Sequence, residues 1–332
     1  MIRVLYAGSP DASAETLRIL LEKGSSCGFE IVGVLTNPPS AQGRHKTPVP
    51  TPVAVLAREN ALPVLEPEHL DGACREETAA LNPDILVCFA YGHIFGPKFM
   101  SLFRFGGINL HPSALPQYRG CTPVPAAILN GDDTTAFTVQ KVSEKMDEGN
   151  ILAQVSVPLT KTETGGSLLN DAAVRGAELL CGVLADISKT GTVPEGRVQE
   201  GKATYTGIIT KQDAKIDWSK SAEAVDALVR AYFPSPAAWT TENGLSLKIL
   251  SAVQVREDDS LVTEEMRAAA PGTVCAFIKQ AGIFVRCGTG FLAVKNLQRQ
   301  GKNAVDYKSF MNGARDFIGT VSYTHLRAHE TS

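Results

Sequence analysis

Asn109 and His111 stand two residues apart in the stretch INLHPSALPQYRG, residues 108–120. An asparagine amide can donate to a developing oxyanion, and an imidazole can give or take a proton near neutral pH. Their alternation with Ile108 and Leu110 predicts a strand, whose period of two puts both polar side chains on one face. Pro112 removes a backbone donor and ends the ladder there. His111 is the only histidine between Ile94 and Tyr323. Taken alone, a histidine beside an apolar strand is more often structural. The polar residues Asn109, Ser113 and Gln117 to Arg119 around it favour a site instead. A carboxylate to orient the ring is missing locally. Asp147, in KMDEGN, is a candidate, although an aspartate beside a turn glycine is commonly just solvated.

The elements around this stretch suggest how it is held. MIRVLYAG, EIVGVLTN, NPDILVCFAYG and GGINLHPS read as buried strands, and SPDASAETLRILLEKG and VAVLARENA as helices. Apolar strands alternating with helices predict an α/β fold, with a doubly wound, mostly parallel, Rossmann-like sheet. Ligands of such sheets bind at the carboxyl ends of the strands. FAYGHIF and NLHPSALP mark two of those ends. AFTVQKVSEKMDEGNILAQVSVPL reads as an antiparallel pair interrupted by a polar loop. SLLNDAAVRGAELLCGVLADI reads as an amphipathic helix. TGTVPEGRVQEGKATYTG has the glycine, proline and charge content of a linker. Beyond it, IDWSKSAEAVDALVRAYFP reads as a helix with a serine cap, and short strands between glycine turns predict a small C-terminal β-barrel. The expected division is 1–190, a linker 191–207, and a second domain 208–320. The tail 321–332 has no packing pattern and is expected to be non-native.

Composition narrows the function. A chain of 332 residues, 44% hydrophobic and 20% charged, is long enough for two domains, and its net charge of −3 advertises no nucleic-acid partner. Residues 207–321 carry a slight basic excess, 14 Lys+Arg against 12 Asp+Glu. Seven scattered cysteines without metal spacing predict reduced thiols and a cytoplasmic protein. No apolar run spans a bilayer. GxGxxG, Walker A, HExxH and GxSxG are all absent, which weakens hydride transfer, phosphoryl transfer and serine hydrolysis.

NLHPSALPQYRG followed by MDEGNIL resembles the folate-dependent formyltransferases. The resemblance implies that Asn109, His111 and Asp147 surround the formyl carbon of 10-formyltetrahydrofolate, with no metal required. It further implies that Asp147 orients His111 and helps remove the proton of the attacking amine. Phe89, Ala90, Tyr91 and Gly92 at one strand end, with Ser113, Ala114, Leu115 and Pro116 at the other, are expected to line the folate pocket. Phe89 or Tyr91 would supply apolar surface and the backbone would meet the pterin. SALP stands where the family more often has SLLP, which trims one apolar contact.

Members of this family formylate different amines, and residues outside the motif discriminate between them. The C-terminal half here is similar to that of members acting on methionine carried by initiator tRNA, whose second domain resembles an oligonucleotide-binding fold. GRHKTPVPTPV resembles their basic insertion, which implies tRNA contacts from Arg44 and Lys46. Lys211, Lys215, Lys248, Lys295, Arg299 and Lys302 are further candidates for phosphate contact. An amino sugar nucleotide is the alternative acceptor. The protein is expected to act as a monomer.

Overall fold

The computed structural model describes residues 1–42 and 47–320. They divide into two units. One comprises residues 1–124, 133–159 and 167–207; the other comprises 125–132, 160–166 and the chain from 208 onward.

In the first unit the chain builds β1 (Ile2–Ala7), β2 (Phe29–Leu35), a hairpin of β3 (Ser40–Gln42) and β4 (Thr47–Val49), and β5 (Val64–Leu65). It continues with β6 (Ile85–Cys88), β7 (Gly107–His111), the short β8 (Arg119–Gly120), β9 (Thr134–Lys141), β10 (Ile151–Pro158) and β11 (Tyr205–Thr206). Seven of these form one sheet in the order β10-β9-β7-β6-β1-β2-β5. The pairings from β7 to β5 are parallel, and the two that add β9 and β10 are antiparallel. The expected α/β sheet is thus present, mixed at one edge.

Valine, isoleucine and leucine dominate the central strands because both faces are covered. Val4, Leu5, Ile85, Leu86 and Val87 are fully buried. The helices have local causes too. Thr51 and Asp71 cap Pro52–Glu59 and Gly72–Ala80 by accepting from Ala54 N and Cys74 N. The helix Asp11–Cys27 runs past Gly24, where the sequence suggested a stop, and ends at Gly28 in the left-handed conformation. Chain order reverses between β1 and β6, since β2 and β5 lie on one side and β7 on the other. A reversal of this kind opens a crevice at the carboxyl ends.

The segment 191–207, which reads as a linker, is bonded to the first unit along its length. Arg197 exchanges backbone hydrogen bonds with Ile151, and β11 pairs in parallel with β8.

The second unit contains β12 (Ala238–Glu242), β13 (Leu245–Val255), β14 (Val274–Ile278), β15 (Gly282–Arg286), β16 (Phe291–Arg299) and β17 (Val305–Asp306). They pair as an antiparallel sheet, β12-β13-β16-β15-β14, with β17 against β16. Alternate residues of β15 and β16 enter different cores. Ile283, Val285, Leu292 and Val294 pack with Trp218, while Phe284, Phe291 and Ala293 pack with Met266 and Val262. Trp218 is buried with its indole nitrogen donating to Thr240 Oγ1 at 3.1 Å. Burial of a side chain of this size contributes about 2–3 kcal/mol. The helix Ala222–Ala231 is capped by Ser221, as its sequence suggests.

Gly176 in the helix Gly165–Thr190 packs directly on β7. A Cβ there would stand 2.3 Å from Leu110 Cδ2 and 2.9 Å from its Cγ. Overpacking of this kind outweighs the helix propensity that alanine adds. Gly176→Ala is expected to lower stability by about 1–3 kcal/mol, as read from urea denaturation.

Candidate functional site

The polar pair begins on β7. Asn109 stands opposite Gln140 of β9, and His111 opposite Thr138. Directly opposed residues share a face, so Asn109, Gln140, His111 and Thr138 form one polar cluster at this end of the sheet. Asn109 is half-buried, and its amide has no hydrogen-bond partner among the described residues. On the other side of β7, Cys88 of β6 is in register with Asn109. Burial pushes the Cys88 thiol up to about 12, so it is no nucleophile at neutral pH.

His111 is buried, and its Nε2 lies 2.8 Å from the carbonyl oxygen of Tyr118. A carbonyl only accepts, so Nε2 carries the proton. Nδ1 is left toward the site, 3.7 Å from Asp147 Oδ2. That separation is ion-pair distance, not a hydrogen bond. The hydrogen bond that orients the ring therefore comes from a backbone carbonyl, and not from Asp147 as the resemblance implied. A carbonyl has no signal in the sequence, and Tyr118 was missed for that reason.

The carbonyl is placed by the loop 112–118. Ser113 N donates to His111 O at 2.9 Å, Ser113 Oγ to Gln117 O at 2.6 Å, and Thr138 Oγ1 to Ser113 O at 2.7 Å. Tyr118 has a φ of 57° and donates its N–H to Thr204 Oγ1 at 2.8 Å. Arg119 N donates to Thr204 O at 2.9 Å.

Asp147 comes from the loop between β9 and β10, at a φ of 56°. Its Oδ2 accepts from Gly120 N and its Oδ1 from Gln140 Nε2, both at 2.8 Å. Gln199 lies beneath that loop, with Nε2 2.8 Å from both Asp147 O and Gly149 O. Its Oε1 accepts from Arg119 Nε at 3.1 Å and Nη2 at 2.9 Å. Neither Gln140 nor Gln199 was singled out in the sequence.

The other expected residues divide by side-chain direction. Phe89 and Tyr91 turn into the core, leaving Ala90 and Gly92 exposed. Tyr91 packs among Leu5, Ala7, Leu35 and Phe99, and its hydroxyl is buried without a partner among the described residues. The expected apolar contribution of Phe89 or Tyr91 to a ligand surface is therefore corrected: what faces outward there is Ala90 and the backbone. Ser113, Leu115 and Pro116 are buried, Ala114 is half-buried, and the Leu115–Pro116 peptide is cis. Arg44 and Lys46 lie outside the described residues, between β3 and β4. In the second unit Arg299 is not a free cation. It pairs with Glu242 through Nε at 2.7 Å and stands over Phe310 at 4.2 Å.

A formyl transferase family model matches residues 2–184, and a formyl transferase C-terminal domain model matches residues 208–315. The chain belongs to the formyl transferase family. Methionyl-tRNA formyltransferase of Treponema denticola is 40% identical over 326 residues, covering 96% of this chain and 98% of that one. Several solved structures share the fold. HypX from Aquifex aeolicus in complex with tetrahydrofolic acid superposes with a TM-score of 0.64 at 15% identity, over 100% of this chain and 50% of that one. The N-formyltransferase from Helicobacter canadensis in complex with folinic acid and dTDP-3-aminofucose gives 0.60 at 17% identity, over 90% and 100%. Among the described residues of this formyl transferase, no three His, Cys, Asp or Glu side chains converge as a metal site.

Gly120 is a tight point of the site. It has a φ of 102°, and a Cβ would stand 2.3 Å from Thr206 O. Gly120→Ala is expected to part β8 from β11 and to cost at least about 1 kcal/mol. Hydrogen exchange of the Arg119 amide should accelerate; unchanged protection would contradict the tight approach.

Proposed function

We propose that this protein transfers the formyl group of 10-formyltetrahydrofolate to the amino group of methionine carried by initiator tRNA. The observation that carries the reading is the convergence of an unpaired Asn109 amide, the open Nδ1 of His111 and the Asp147 carboxylate at one strand end. The acceptor is assigned from the near-complete match to the T. denticola enzyme. Resemblance to the sugar enzyme is confined to fold.

The folate supplies an activated formyl group. Asn109 donates its amide N–H to the formyl oxygen as negative charge builds there. His111, whose Nε2 holds the proton of the neutral ring, presents Nδ1 to the reacting groups as an acceptor. As the methionine amine attacks the formyl carbon, Asp147 takes up its proton, directly or through water, and the bond from that carbon to the folate nitrogen breaks as this nitrogen leaves with the proton. A carboxylate offers about four lone-pair sites, so the bonds from Gly120 and Gln140 leave room. Ala90, Gly92 and Ala114, the outward-facing members of the two strand-end loops, are assigned to the folate through their backbone groups.

The tRNA is assigned to Arg44 and Lys46 and to the second unit. There, Lys211 and Lys215 lie 5.1 and 5.6 Å from the Trp239 ring, and Lys295 and Lys308 each 5.6 Å from Tyr307. Ammonium groups beside aromatic faces suit phosphates and stacked bases. All seven cysteines are free thiols, in keeping with a cytoplasmic assignment.

Labelled formyl should pass from 10-formyltetrahydrofolate to charged initiator tRNA in preference to elongator tRNA or an amino sugar nucleotide. Transfer to the sugar nucleotide alone would overturn the assignment. Asn109→Ala and His111→Ala are each expected to reduce kcat about 10²–10³-fold, with the folded state retained by circular dichroism.

A further inference from the structure

We infer that Gln199 is a positioning residue for formyl transfer, acting through Asp147 at the end of a one-way hydrogen-bond chain. This rests on the proposed function of Asp147. The direction of the chain follows from its ends. Arg119 can only donate, so the side-chain atom of Gln199 that meets it at 2.9 and 3.1 Å is the oxygen. The amide nitrogen of Gln199 must then face the other way, toward Asp147 O, Gly149 O and Gln140 Oε1, at 2.8, 2.8 and 3.2 Å. Because Gln140 presents its oxygen to Gln199, its nitrogen is turned to Asp147 Oδ1 at 2.8 Å. Every proton in the series Arg119–Gln199–Gln140–Asp147 therefore points from the guanidinium toward the carboxylate. Aligned dipoles of this kind polarise one another.

The same glutamine holds the loop itself. Asp147 adopts a left-handed backbone that L-residues with side chains disfavour. Such conformations persist only where surrounding contacts over-determine them. Gln199 supplies two of those contacts, at the carbonyls of Asp147 and Gly149. Arg119 is braced in turn by Glu148 at 3.0 Å and the Tyr205 hydroxyl at 2.8 Å. Gln199 does not approach the reacting atoms, so its influence passes through the placement of the carboxylate.

The test uses the full chain with two substitutions at one position. Gln199→Leu removes both halves of the amide. Gln199→Glu keeps the acceptor for Arg119 but cannot donate to the loop carbonyls or to Gln140. Both are expected to lower kcat at least tenfold while KM for 10-formyltetrahydrofolate and for methionyl-tRNA stays within about twofold. In an Asp147→Asn background, adding Gln199→Leu should change the residual rate less than twofold, because groups acting through one another are not additive. Full activity in Gln199→Glu would assign the residue to Arg119 alone and overturn the inference, as would multiplicative losses in the double variant. Hydrogen exchange at the Gly120 amide, which donates to Asp147 Oδ2, gives a readout independent of substrate. It is expected to accelerate in both variants, and unchanged exchange would overturn the positioning role even if another acceptor amine proved to be the substrate. Absence of transfer by the parent chain, by contrast, would count against the proposed function.

Discussion

A nearly buried carboxylate, carried by a loop, has to be satisfied on both oxygens by groups that stay in place. Asp147 is 13% exposed at its side chain and belongs to neither strand nor helix. Leaving such a group short of donors would cost roughly 1–3 kcal/mol or more. The return of 191–207 across the first unit, the short β8–β11 pair and the close approach at Gly120 all serve this anchorage. They bring an amide N–H, two glutamine side chains and an arginine to one place. A stretch with a linker's composition thereby forms part of the site's supporting frame.

The sheet and the loops divide the work. β7 holds Asn109 through ladders on both sides and His111 through its pairing with Thr138 of β9. The loops bring Asp147 and the Tyr118 carbonyl, whose places depend on contacts remote in sequence. Gln199 is 52 residues from the carbonyl it holds. The second unit is organised differently, by an antiparallel sheet whose strands β15 and β16 are apolar on both faces, and it shows cations against aromatic rings at its surface.

What could be read in advance follows from the range of each interaction. Strand alternation is local, so the shared face of Asn109 and His111 was legible, as were the buried parallel strands and the serine cap of the second unit. Asp147 became legible through the resemblance of MDEGN, since aspartate beside glycine carries little meaning alone. Phe89 and Tyr91 were misjudged because aromatic residues at a strand end fit a ligand wall and a core equally well; β6 is buried on both faces, and its continuation turns inward. Tyr118 contributes through its main chain, for which no residue type is diagnostic. Gln140 and Gln199 were invisible because a glutamine acquires meaning only from its partners.

The Tyr118 carbonyl carries a further consequence. The proton position on His111 is set by an atom that every amino acid possesses, so replacing the tyrosine side chain does not by itself remove it. The tautomer is encoded in the path of the chain and not in the identity of a residue. Sequence drift at position 118 can therefore leave the imidazole's orientation intact, whereas a one-residue insertion or deletion between Pro112 and Gly120 would displace the acceptor. Variation in loop length, more than variation in loop composition, is the change this site is least equipped to absorb.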